Sequence, residues 1–268
     1  PPPPPPPRPL FQAEVVIRDT FSSRGIGDVY KRLMYVAGLR RSLDTLPDPG
    51  CRIAAAVLVH PTYHGYAADI SGLLDLLHAR GLPVLVDEAH GTHLAFPSRS
   101  ALPASAVHAG ADLVVHSLHK SAPGLAQTAV LWQRNGRIDP ERVQAALQRL
   151  QTTSPSALML ASCEATLDWM LSPRWPVLLE ARQCDATTLA TVLARAGVPL
   201  HSGDDPLRLI LATGQAGISG LEADDWCMQQ GLIAELPEPL CLTFCLGFAQ
   251  HRGLARQFRH LWQRLLDE

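Results

Sequence analysis

The sequence predicts an α/β protein built on a buried parallel sheet, with a smaller α+β unit after it. Three stretches carry that prediction. Ile53 to Val59, Val84 to Val86 and Leu113 to Val115 are short, valine-rich apolar runs, the pattern of strands covered on both faces. The second runs into Asp87 and the third into His116 and Ser117, so each delivers polar chemistry at its carboxyl end. Ligands of open α/β sheets collect at that edge.

Between the first two runs, Asp69 or Ser71 can cap a helix whose Leu73, Leu74, Leu76 and Leu77 form an apolar face, with Gly81 as its stop. Strand, helix and strand at this spacing imply crossover connections. Ala129 to Trp132 is expected to return beside the loop that holds Lys120. Asp139-Pro140-Glu141 opens a helix with Pro and acid in its first turn. Another helix follows Pro155, and a long one runs from Trp175 to Ala196 before Gly197. Beyond it, Leu207–Ala212 and Leu240–Leu246 read as strands, and Glu222–Gln230 and Leu254–Leu266 as helices. The domain boundary is placed inside the long helix, giving residues 51–182 as the major unit and 183–268 as the small one. Residues 1–50 form a proline-rich leader and an unassigned segment, in which Ile26 to Leu39 can form a helix with Tyr30, Leu33, Met34 and Ala37 on one face. Pro1 to Pro7 is read as an unstructured leader or a ragged fragment end.

A chain of 268 residues can bury a sizeable core. The net charge of −2 gives no basic excess to attract nucleic acid or a membrane surface. No apolar run approaches bilayer length. The six cysteines are scattered without a Cys-x-x-Cys pair, which suits reduced cytoplasmic thiols. Cys241 and Cys245 alternate in phase on one strand and are expected in the core rather than as ligands.

Lysine is rare. Lys31 and Lys120 are the only two among 23 basic residues, so nearly every other cationic position is Arg. A surface cation can be Arg, but a nucleophilic amine cannot, because guanidinium stays protonated. A lysine and an acid at neighbouring strand ends suit a pyridoxal phosphate site. There the amine forms a Schiff base, and the Asp pairs with the pyridinium nitrogen. Lys120 and Asp87 are those residues.

Ser117-x-His119-Lys120, followed by Gln127-Thr128-Ala129, resembles the cofactor-attachment motif of the ornithine/lysine/arginine decarboxylases. Asp87-Glu88-Ala89-His90-Gly91-x-His93 resembles that family's pyridine-nitrogen segment, and Pro61-Thr62-Tyr63-His64-Gly65 a third. Thr152-Thr153-Ser154-Pro155-Ser156, and Thr213-Gly214 through Ser219-Gly220-Leu221-Glu222-Ala223, continue the match in order. The resemblance implies a partial fold-type I (aspartate aminotransferase-like) major domain with a small α+β C-terminal domain, and pyridoxal 5'-phosphate as cofactor. It implies decarboxylation of arginine, lysine or ornithine to the corresponding amine, with agmatine, cadaverine or putrescine as product. His90-Gly91 tilts this towards the arginine-type members.

Roles follow from the same resemblance. Lys120 attaches the cofactor and Asp87 holds its ring nitrogen protonated, while Ala89 lies under the ring. Ser117 and His119 reach the phosphate or the substrate carboxylate, and His90 orients Asp87 or contacts substrate. Thr152 and Thr153 reach the cofactor of a neighbouring subunit, since the family builds its sites in homodimers or higher homo-oligomers. His119 as a plain loop histidine, and the threonines as helix caps, remain open.

Two rival motifs share these residues. Val84 to His90 also looks like a helicase DEAH box, but that needs an upstream glycine-rich phosphate loop with Lys, which is missing. Asp87, His90, His93, His116 and His119 could suggest a metal centre, but their spacing fits no familiar zinc pattern. No metal is expected there.

One departure from the family is serious. Members carry an earlier Ser/Thr-rich glycine loop for the phosphate, and an aromatic or histidine that stacks on the ring. Residues 1–50 contain neither in recognisable form, Ser22-Ser23-Arg24-Gly25 being the nearest candidate loop. A fragment, or a non-catalytic assembly or regulatory subunit, is therefore the alternative. A truncated major domain would leave sheet edges and apolar surface exposed.

Overall fold

The structure is a computed structural model that describes residues 35–44, 53–99, 102–249 and 253–267. Lys31, Cys51, the proline run and Ser22-Ser23-Arg24-Gly25 lie outside the described residues. The elements in order are α1 (Val36–Asp44), β1 (Ala56–Val59), α2 (Ile70–His78), β2 (Val84–Asp87), a 3-10 turn (Thr92–Ala95), α3 (Ala106–Ala109), β3 (Leu113–Ser117), α4 (Leu118–Ser121) and β4 (Ala129–Gln133). Then come α5 (Pro140–Leu150), α6 (Ala157–Leu171), α7 (Trp175–Arg195), β5 (Leu200–His201), β6 (Arg208–Leu211), a second 3-10 turn (Thr213–Ala216), α8 (Gly220–Gln229), β7 (Leu236–Glu238), β8 (Cys241–Cys245) and α9 (Leu254–Asp267).

The three valine-rich runs are parallel neighbours, in the order β1-β2-β3. Their register puts Val59 beside Asp87 and Asp87 beside Val115. All three carboxyl ends therefore share one edge. β4 returns antiparallel along β3, pairing Ala129 with Ser117, which makes the sheet mixed. Leu58, Val84, Val86 and Val114 are buried in one cluster with Ile70, Leu73, Leu74 and Leu77 of α2. Asp69 caps α2 as its position suggests, accepting from the Gly72 N–H. The alternate residues of β1 are uncovered, with Val57 70% and Val59 66% exposed. That is a liability for an edge strand.

α1 corrects one expectation. It runs to Asp44 rather than stopping at Leu39, and Ala37 faces solvent. Val36, Leu39 and Leu43 pack on the α2 cluster instead, because residues three and four apart share a helix face. Tyr30, Leu33 and Met34 lie outside the described residues.

The second sheet is antiparallel, in the order β5-β6-β8-β7. α7 serves both halves of the chain. Trp175 and Leu179, near its start, pack with Leu118 and Ala122 of the lysine loop. Leu189 and Leu193, near its end, pack with Leu209, Leu211, Leu242 and Phe244 of the second sheet. Cys241 is buried as expected, but Cys245 is exposed. It sits in the last register pair of β8, opposite Arg208, where sheet cover ends. Among the described residues, no helix is long and apolar enough to cross a membrane.

Candidate active site

Asp87 closes β2, and its side chain stands at the shared strand edge. Among the described residues it makes one hydrogen bond, Oδ1 accepting from the Ala89 N–H at 3.1 Å. Ser117 closes β3, and its hydroxyl does not cap the short helix that follows. Lys120 is exposed on that helix, and its ammonium has no hydrogen-bond or ion-pair partner among the described residues. The loop beneath is tight. A Cβ on Gly124 would stand 2.6 Å from Thr128 Oγ1 and 2.8 Å from Leu118 Cβ. Gln127 takes a left-handed φ of 74°, a conformation uncommon for a residue with a side chain. Ser121 joins the acid and lysine segments, its Oγ accepting from the Thr92 N–H at 3.0 Å and donating to the Ala89 carbonyl at 3.4 Å.

Tautomers can be read from the partners. His119 Nδ1 lies 3.0 Å from the Thr128 carbonyl, an acceptor only, so it carries the proton and Nε2 offers a lone pair. His116 lies between the Trp132 indole N–H, a donor only, and Glu88. Its Nδ1 must accept, so Nε2–H donates to Glu88 at 2.8 Å. Glu88 is fully buried and also accepts from Ser105 Oγ at 2.7 Å and the Ala106 N–H at 2.8 Å. The Asp-Glu pair is thus divided. Asp87 faces the site, while Glu88 anchors the sheet from behind.

A second group reaches the same place from the antiparallel sheet. Arg208 Nη2 donates to His90 Nδ1 at 3.2 Å and to the His90 carbonyl at 3.3 Å, and another guanidinium nitrogen contacts Cys245 Sγ. Its Nε lies 3.9 Å from Asp205 Oδ2, which also sits 3.3 Å from His93 Nε2. Burial pushes Asp205 up, but His93 and Arg208 outweigh it and hold the carboxyl below its ordinary value. Gly65 (φ 80°) permits this seat, since its carbonyl accepts the Asp205 N–H at 2.9 Å and a Cβ there would stand 2.6 Å from Arg208 Cγ. Tyr63 completes the wall. Its ring centroid is 4.1 Å from that of His90, and its hydroxyl donates to Glu235 Oε1 at 3.0 Å.

His90 lies where these groups meet. Burial first, then the charges of Arg208, Lys120 and His119, push its pKa down to about 3. With Nδ1 accepting from Arg208, the proton is on Nε2, which is buried without a hydrogen-bond partner. An orphaned donor in a cationic surround is suited to an anionic ligand group. In wild-type protein, His90 is expected to show no titration between about pH 5 and 8 by NMR. Arg208→Gln should raise its pKa part of the way toward the ordinary 6.5, and an unchanged value would remove Arg208 as a contributor beside burial. The stability sign follows from the same shift. Between about pH 6.5 and 3 the unfolded chain binds a proton that folded His90 refuses, so this group lowers stability as pH falls through that window.

The structure thus brings Asp87, Ala89, His90, Ser117, His119 and Lys120 to one edge. It does not bring Thr152 and Thr153 there. Both are exposed after α5, with Thr152 Oγ1 accepting from the Ser154 N–H, and Ser156 precedes α6 without a side-chain cap bond. The five residues considered as a metal centre have separate partners. Tyr63 and Arg208 carry no role in the sequence reading. Tyr63 could have been suspected from its place just after a parallel strand, where ligands collect.

A model of the Orn/Lys/Arg decarboxylase major domain matches residues 17–173. The chain belongs to that family. The arginine decarboxylase of Halalkalibacterium halodurans is 33% identical over 222 residues, 78% of this chain and 44% of that protein. The arginine decarboxylase of Bacillus subtilis is 32% identical over 197 residues, 70% and 39% respectively. The chain spans less than half the length of these curated relatives. Among solved structures, Sphingomonas wittichii serine palmitoyltransferase matches with a TM-score of 0.64 and 18% identity, over 87% of this chain and 59% of that one. Alanine–glyoxylate aminotransferase from Nostoc sp. matches with a TM-score of 0.63 and 16% identity, over 87% and 66%. These likenesses show the fold, the α/β architecture of the fold-type I enzymes.

Proposed function

We propose that this edge is the lysine and ring-nitrogen end of a pyridoxal 5'-phosphate site, and that it serves decarboxylation of a basic L-amino acid. One observation carries the reading: an acid with one oxygen free of hydrogen bonds closes β2, and a lysine without a partner among the described residues follows the end of the adjacent parallel strand β3. The described residues fit the cofactor at that end, with Lys120 to attach it and Asp87 to hold its ring nitrogen. Buried Ala89 adds no bulk beside them. When bound, the cofactor supplies an electron sink as carbon dioxide leaves.

The protein's own groups do the rest. His90 Nε2–H, oriented by Arg208, donates to an anionic group of the ligand. In this reading Ser117 Oγ does the same. His119, its Nδ1–H pinned by Thr128, takes a proton from solvent on the Nε2 lone pair and returns it to the α-carbon. Arginine is the favoured substrate, because relatives of this family carry the name arginine decarboxylase. Lysine and ornithine are the alternatives, so the products would be polyamine precursors. The assay is carbon dioxide release from each of the three amino acids, with added cofactor. Release from arginine above the other two is expected, and no release from any would overturn the reading.

The same proposal places the unit boundary in α7 near Arg182 and the protein in the cytoplasm. It makes the working form a homo-oligomer in which Thr152 and Thr153 meet a neighbouring subunit. A second reading, a non-catalytic assembly or regulatory subunit, is favoured by the uncovered Val57 and Val59 on β1, which suit a chain that works only inside an assembly.

A further inference from the structure

On the far side of the Tyr63 loop, three donor atoms from three segments meet in one small volume. His64 Nε2 is 2.9 Å from Glu238 Oε2, and Cys241 Sγ is 3.4 Å from that oxygen. All three candidate ligand atoms lie within 4.8 Å of one another. Glu238 and Cys241 are register partners across the β7–β8 pairing, so the strand turn itself sets their distance. His64 arrives from the loop after β1. It is buried, as is Cys241, while the Glu238 side chain is 19% exposed.

The other nitrogen of His64 is also fixed. Nδ1 lies 2.9 Å from Oγ1 of Thr243, which is fully buried two residues beyond Cys241 on β8. The Thr243 hydroxyl can donate or accept, so Nδ1–H can rest on it once Nε2, which faces the acceptor Glu238 in the metal-free protein, gives its place to a metal. Metal-binding histidines are held this way by an outer hydrogen bond.

We propose that His64, Glu238 and Cys241 form a zinc-class metal site with one open position. Imidazole, carboxylate and thiolate together suit a tetrahedral, borderline-soft divalent cation. Metal–ligand bonds of about 2.0–2.3 Å put tetrahedral ligands about 3.3–3.7 Å apart, so the 2.9 and 3.4 Å spacings to Glu238 need only small movements. Binding releases the thiol proton to solvent and forms one metal–sulfur, one metal–nitrogen and one metal–oxygen bond, with water in the fourth place. Such a site clamps the 60–66 loop, and with it Tyr63 against His90, to the antiparallel sheet. The proposal does not depend on the decarboxylase reading.

The test uses the full chain, stripped with chelator and titrated with Zn²⁺ and separately with Co²⁺. The expected result is one tightly held equivalent per chain, a sulfur-to-cobalt charge-transfer band, and a zinc absorption-edge spectrum with one sulfur in the inner shell. Cys241→Ser should abolish the band, His64→Gln should weaken zinc at least about 100-fold, and Thr243→Val about 10–100-fold. Cys245→Ser should leave all of this unchanged. Loss of the band in Cys245→Ser, a band retained in Cys241→Ser, or no held equivalent would overturn the proposal. The sulfur-containing shell is read on wild-type protein, so an inner shell without sulfur overturns it even if a variant misfolds.

Discussion

Glu88→Ala is expected to destabilise the folded chain by about 3–5 kcal/mol, the usual cost of breaking a buried charged network. The carboxylate is fully buried and receives three donors: Ser105 Oγ, the Ala106 N–H and His116 Nε2–H. Alanine leaves all three unmet, and each orphaned buried donor costs about 1–3 kcal/mol. His116 cannot recover by changing tautomer, because Trp132 Nε1–H already occupies Nδ1 at 2.8 Å. The consequence reaches the site, since β3 runs from His116 through Ser117 into the helix of Lys120. Urea unfolding would measure it through the midpoint, with an unchanged m-value. A loss below about 1 kcal/mol would mean that the network is not structural.

Asp87→Asn should do the opposite, sparing the fold and removing turnover. Asp87 makes a single short-range hydrogen bond and points away from the core, so its amide costs little stability. An amide cannot hold a ring nitrogen protonated, and the electron sink weakens accordingly. We expect kcat to fall on the order of 100-fold or more, while the cofactor still attaches to Lys120. Steady-state decarboxylation beside a cofactor-binding titration separates the two effects. Equal loss of attachment and turnover would make Asp87 a folding or binding residue instead.

The parallel strands were legible because burial on both faces forces continuous valine-rich runs, a pattern that needs no distant partner to recognise. Asp87 and Lys120 were legible for the same reason, each lying at or just beyond the end of such a run. The Arg208–His90 contact was not, since the two are 118 residues apart, one in the turn after β2 and the other on β6 of the second sheet. No local period reports that the Gly65 loop seats Asp205 and Arg208 against the strand edge. The division of Asp87 from Glu88 was hidden too, because adjacent acids look alike until the strand pleat sends them to opposite faces. Cys245 illustrates the limit of alternation. It keeps phase with Cys241, but phase does not tell where the sheet's cover stops. The end of the helix at Asp44 was hidden because its face of Val36, Leu39 and Leu43 is set by packing on α2.

The most direct test is the absorbance spectrum of the purified chain with added pyridoxal 5'-phosphate, recorded beside Lys120→Ala. The wild-type protein should develop the visible band of cofactor bonded to a lysine amine, stable to gel filtration. The variant should show only free cofactor, and Lys120→Arg should match it, because guanidinium supplies charge but no nucleophile. The same band in Lys120→Ala, or none in wild type, would contradict the assignment of Lys120 as the attachment residue.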